Sequence, residues 1–318
     1  MKKLFLKSLL YGVLMILALE LWVRALHLSK DNPVRYIDDK KVEKWYPNQN
    51  GHSVTGNRRQ NFSEYHINNT GFNSYREFKP TADKEEIALV GDSFIEGFHI
   101  NYYNSTGKKI ENRLPGVEVY EYGYAGYDMA DQLHLIYAYR DKFDLIDHVI
   151  LGIKFSNDLN RGTYAPIADR MKFEQPMYRL LRQSKLLVYA MNIGALDSAR
   201  NLVTKLLSFG KKKKKDKKKL TEEDILKQDQ LYLENLKSLI REYGFDKERF
   251  AFLLDSRVTP SIFLDYLEEE GIKYIDFAEE FEKAKKPTTL IYDKHWNNYG
   301  RKLIADAITK YVKQQDKK

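Results

Sequence analysis

Five short apolar runs alternating with stretches of helical period constrain this chain more than any other feature. The runs are Ile87–Val90, Val117–Tyr122, His148–Lys154, Phe250–Asp255 and Lys273–Phe277. The helical stretches are Thr106–Leu114, Met129–Arg140, Glu222–Tyr243, Pro260–Glu269 and Asn297–Val312. Strands separated by helices pair in parallel, and their crossovers cover both faces of the sheet. The expected fold class is α/β, a three-layer α/β/α sandwich around a parallel sheet of about five strands. The first run has no polar alternation, as a strand buried on both faces requires.

Residues 1–30 have a different character. Lys2, Lys3 and Lys7 precede an apolar segment from Leu4 to Leu28, with Glu20 and Arg24 near its far end at i,i+4 spacing and Trp22 between them. The segment is long enough to cross a bilayer of ~30 Å, and the charged pair can snorkel or pair at one interface. The basic flank places the N-terminus in the cytoplasm and the chain beyond residue 30 outside it. A cleaved signal peptide is the rival reading, although no A-x-A site succeeds the apolar run. The expected arrangement is thus a single-pass membrane protein with the main domain extracytoplasmic.

The formal charge of +8 resides almost entirely in Lys211–Lys219, so the folded body is near neutral and nucleic-acid binding is not expected. Without cysteine the chain has no disulfide, thiolate metal site or thiol nucleophile. Its histidines are scattered, no pair stands at i,i+4, and no phosphate or dinucleotide loop is present; neither a metal nor another cofactor is expected.

The chain divides into three segments: the anchor 1–30, a linker and short-strand prelude 31–83 that packs on the domain's edge, and the main domain 84–318. Pro33, Pro47 and Pro80 break the prelude. Between 160 and 220 no strand is visible; one or two amphipathic helices within Pro176–Phe209 interrupt the alternation before the lysine run. Such helices pack on the sheet, cap a site or lie on a membrane surface, and the lysine run is expected as a solvated, mobile loop.

Ile87–Val90 ends in Gly91-Asp92-Ser93, at the start of a helix. The tripeptide fits an ordinary turn with Asp or Ser as N-cap, and it also places a serine hydroxyl at the carboxyl edge of the sheet, where α/β folds put their chemistry. Three further stretches fall at equivalent positions: Gly123–Asp128, Phe155–Asp158 and Asp293–Asn297. Together they permit acyl transfer. Ser93 can attack a carbonyl, His295 can take and return its proton, and Asp293 can hold the imidazole tautomer. The N–H groups of Ser93 and Gly126 and the amide of Asn157 can face the developing oxyanion. As bland alternatives, His295 starts a helix satisfied by Asp293, and Asn157 forms a turn.

These four stretches, in this order, resemble the blocks of the SGNH/GDSL esterase family. The resemblance spans residues 86–313. It implies a flavodoxin-like SGNH hydrolase domain with Ser93 as nucleophile, His295 as base, Asp293 as orienting acid, and Ser93, Gly126 and Asn157 as the oxyanion hole. Glu20 and Arg24 at the end of the anchor, Pro47-Asn48, and Asn68-Asn69-Thr70-Gly71-Phe72 are similar to the family's membrane-anchored bacterial branch. Two departures stand out. Many members place the acid where Tyr292 is, and the two-residue spacing of Asp293 is that of polysaccharide O-acetyltransferase-like relatives; Glu121 stands where Asn is frequent.

The expected function is an extracytoplasmic serine esterase acting through acyl-Ser93 on an acylated glycan or lipid, with Glu121, Tyr127 and Trp296 as candidate substrate contacts. One alternative is an O-acetyltransferase of a surface polysaccharide, which shares the acyl-enzyme. Another is a catalytically silent glycan-binding or assembly protein on the same fold.

Overall fold

The computed structural model describes residues 1–56, 59–197 and 221–315. The lysine run and the part of the predicted insertion beyond residue 197 lie outside the described residues.

The first element, α1 (Lys2–Ala25), is a single apolar helix with mean hydropathy 2.0 over its most apolar window, none of which is buried. At 1.5 Å per residue it is about 36 Å long. The prelude then forms two antiparallel pairs, β1 (Arg35–Ile37) with β2 (Glu43–Trp45) and β3 (Asn50–Thr55) with β4 (Asn61–His66). Trp45, Tyr65, Ile67, Phe72 and Phe78 are buried in the same cluster as Val90 and Tyr122 of the main sheet.

The main sheet is parallel and five-stranded: β5 (Glu86–Gly91), β6 (Glu118–Gly123), β7 (His148–Gly152), β8 (Phe250–Leu254) and β9 (Lys273–Asp276), in the order β6-β5-β7-β8-β9. Among these strands the order is 2-1-3-4-5, and the winding reverses between β5 and β7, which in open α/β sheets opens a crevice at the strands' carboxyl ends. In β5, Ala88 and Val90 join one buried cluster while Ile87 and Leu89 join the other, the alternation a pleated strand imposes.

Helix α2 (Ser93–Glu96) comes directly after β5, with Asp92 as N-cap accepting the Phe94 N–H. Next come α3 (Thr106–Glu111), α4 (Met129–Ala138) and α5 (Phe155–Asp158). Within the predicted insertion, α6 (Pro176–Gln183) and α7 (Lys185–Asn192) are consecutive helices joined at Ser184. Further along come the longer helices α8 (Glu222–Tyr243), α9 (Ser261–Glu269) and α10 (Asn298–Gln315). Residues of α4, α8 and α9 share the cluster of Ala88 and Val90; those of α3 and α10 share the cluster of Ile87 and Leu89. Helices thus cover both faces, the three-layer arrangement expected.

Candidate active site

Ser93 is the first residue of α2, at the carboxyl end of β5. The strand-to-helix bend is tight enough that α2 crosses β6 in backbone contact: a Cβ on Gly123 would lie 2.0 Å from the Glu96 nitrogen. Asp92, besides capping α2, is held by Lys154 Nζ at 2.9 Å from its Oδ2. The turn carrying Ser93 is therefore braced on two sides.

The partner of Ser93 comes from the far end of the chain. Its Oγ lies 2.7 Å from His295 Nε2. Asp293 Oδ1 accepts from the His295 main-chain N–H at 2.9 Å and also pairs with Nδ1 of the same ring. An acid two residues upstream suits this Asx-type turn, in which one oxygen fixes both the backbone and the imidazole. Burial pushes the Asp293 carboxyl up, but the hydrogen bonds from His295 outweigh it and hold the group below its ordinary range. Asn297 closes the segment by accepting the N–H groups of Tyr299 and Gly300 at 2.9 Å, the start of α10.

Sequence reasoning missed His99. Its ring stacks on His295 with centroids 4.0 Å apart and 18° between planes, and its Nε2 stands 3.2 Å from Asp293 Oδ2. Burial, with a lesser push from His295, lowers its pKa to about 4, so it is neutral over the ordinary range. The histidines scattered along the chain thus include two that meet face to face. His99, Asp293 and His295 offer ligand atoms within 4.8 Å of one another, but an ion held there would draw on the imidazole that Ser93 contacts.

Many of the solved structures that resemble this chain are lipolytic G-D-S-L or SGNH hydrolases. A member of the lipolytic G-D-S-L family from Veillonella parvula is 14% identical over 72% of this chain and 99% of its own, with TM-score 0.40. A lipase/acylhydrolase from Enterococcus faecalis is 14% identical over 73% and 96%, with TM-score 0.39. The esterase EstA from Pseudoalteromonas sp. is 11% identical over 74% and 100%, with TM-score 0.40. No family model and no curated protein matches the chain. What each residue can do rests on the geometry of this chain alone.

The three expected oxyanion donors are disposed differently. Ser93 and Ala125 line a cavity of about 670 Å³. Gly126, the next residue, has φ +94°, a conformation side chains resist, and its carbonyl accepts from Arg170. Glu96 Oε1 accepts the Ala125 N–H at 3.0 Å and the Trp45 indole N–H at 2.7 Å, so this turn is pinned from both sides. Asn157 does not line the cavity, and its amide donates to Asp158 Oδ1 at 2.8 Å. Burial, aided by the Asp92 charge, raises Asp158 to about 7.

All three expected substrate contacts lie in the core instead. Glu121 is 5% exposed and accepts the Gly107 N–H at 3.0 Å, where it satisfies the first turn of α3. Tyr127 is 1% exposed, its hydroxyl donating to the Glu43 carbonyl at 2.5 Å. Trp296 packs edge-on against Phe94 and Phe277. Tyrosine and tryptophan beside a site satisfy a core as well as a ligand, and local sequence cannot distinguish the two. Of the groups that do brace the site, Glu96 and His99 stand within six residues after Ser93, whereas Lys154 and Arg170 come from separate stretches of the chain.

Proposed function

We propose that the chain hydrolyses carboxylic esters through an acyl-Ser93 intermediate, and the observation that carries this is the contact of Ser93 Oγ with His295 Nε2, backed by Asp293 on the other ring nitrogen. Ser93 Oγ attacks the ester carbonyl as its proton passes to His295 Nε2. The tetrahedral oxyanion collapses, the C–O bond to the alcohol breaks, and His295 returns the proton to the departing oxygen. Water then repeats the sequence on the acyl-serine, releasing the acid and restoring Ser93. The proposed oxyanion donors are the N–H groups of Ser93 and Gly126, with the Asn157 amide joining them by releasing Asp158. The substrate class we assign is an acylated glycan or lipid at the extracytoplasmic face of a bacterial membrane, with α1 as the anchor.

The full chain in detergent should cleave p-nitrophenyl esters, and Ser93→Ala and His295→Ala should each abolish turnover with unchanged circular dichroism. A serine-directed fluorophosphonate should mark the Ser93 peptide in the parent protein and leave His295→Ala largely unmarked. Wild-type turnover by Ser93→Ala would remove the assignment.

A further inference from the structure

The cavity over Ser93 is walled on the opposite side by the insertion. Phe173, Leu181, Leu187, Val188 and Met191 face it, joined by Phe98 just beyond α2, while Ser93, His99 and His295 form its reactive end. A two-carbon acyl group would leave most of its roughly 670 Å³ empty. An apolar wall of this extent favours an apolar occupant, because a sugar hydroxyl set against it would lose its hydrogen bonds.

The position of that wall is determined by the membrane helix. Glu20 on α1 accepts the N–H groups of Lys185 and Leu186 at 2.9 and 2.8 Å and contacts the Ser184 hydroxyl at 3.1 Å. Arg24, one turn later, donates to the Gln183 carbonyl at 2.5 Å and to Glu20 at 2.7 Å. A carboxylate therefore sits at the amino end of α7 and a guanidinium at the carboxyl end of α6, each complementary to the dipole it meets. Lys185 also pairs with Asp31, whose segment supplies a further side of the cavity. On α6, Met177 and Leu180 are 67% and 66% exposed next to Leu181, which faces the cavity. The insertion thus carries apolar side chains outward and inward at the level of the last turns of α1.

Resting on the reading of Ser93 as nucleophile, we propose that the cavity is an acyl-chain site for a membrane-resident ester lipid, built jointly by the insertion and the anchor, with Glu20 and Arg24 as the latch. The acyl chain passes from the bilayer along α6 and α7 and brings its carbonyl to Ser93. The alcohol portion of the lipid remains on the side of the reactive end.

The test uses the full chain in lipid nanodiscs. Its kcat/KM for p-nitrophenyl dodecanoate should exceed that for the acetate by at least ten-fold. Leu181→Trp and Met191→Trp, both at solvent-accessible positions that tolerate a larger side chain, should each lower this ratio about ten-fold, and Glu20→Gln with Arg24→Gln should lower it as well. A second readout is independent of turnover. Ser93→Ala should bind a dansyl-labelled undecanoic acid with a fluorescence rise that the added Leu181→Trp removes. If no ester is cleaved but this binding is present, the hydrolase reading falls and the acyl site stands. If esters are cleaved with a ratio near one, unmoved by either tryptophan, or if the dansyl acid does not bind, the acyl site is overturned.

Discussion

Asp293 accepts both the main-chain N–H and the ring of His295 on one oxygen, leaving its other oxygen to face His99. The imidazole is held by a turn and a stacked neighbour, so its Nε2 is presented to Ser93 without needing a longer spacing to the acid. Close by, Glu96 braces the turn at Ala125 from a buried position. Burial, opposed by the Ala125 and Trp45 hydrogen bonds, pushes its carboxyl from 4.5 up to about 7. A carboxyl whose folded-state pKa is raised binds its proton more tightly folded than unfolded. Its contribution is complete below 4.5 and is lost as pH rises through about 7. The amount is on the order of 3 kcal/mol. Thermal melts of Glu96→Gln should therefore show a flatter decline in Tm between about pH 5 and about pH 8 than the parent protein, and greater stability than the parent at the upper end. The amide oxygen can still accept both donors, so a curve parallel to the parent's would contradict this account.

At the scale of elements, the junction of β5, α2 and β6 sets the position of the nucleophile. Gly123 ends β6 where a Cβ would strike the Glu96 backbone at 2.0 Å, and neither element can move without disturbing the sheet or the Ser93 turn. Gly123→Ala should cost about 1–3 kcal/mol and lower activity together with Tm in a denaturation series. A variant with normal melting and normal turnover would show that α2 slides freely over β6. The loops were less legible than these elements. The short-strand prelude 31–83 buries Trp45, Tyr65 and Phe72 in the cluster of the sheet, a packing the sequence did not reveal because short strands broken by proline carry no period long enough to mark a face. Helices α6 and α7 were visible as amphipathic stretches, but their docking on Glu20 and Arg24 depends on residues more than 150 positions away.

For the whole molecule, an unburied apolar helix precedes a body whose reactive crevice opens beneath helices tied to that helix. The proposed topology places this body outside the cytoplasm. Because the chain has no native cysteine, Glu248→Cys, at a side chain 92% exposed, gives a single reporter. It should react with a membrane-impermeant maleimide in intact spheroplasts, and the protein should remain in the pellet after carbonate washing. Labelling only after lysis would reverse the orientation.

The sequence by itself determined the parallel α/β sandwich, because apolar runs and helical periods are local patterns that report burial directly. It also marked Ser93, at the end of an apolar run where such a fold exposes a hydroxyl, and Asp293 with His295 in the segment before the last helix. Only the tertiary structure decided their contact, since Ser93 and His295 are separated by most of the domain and meet through the sheet order and α10. It also decided which polar groups serve the core. Glu121 and Tyr127 turned inward, while His99 and Glu96 came to the crevice. Those outcomes depend on which backbone donors remain unpaired after packing, a property of the assembled fold rather than of any stretch of residues.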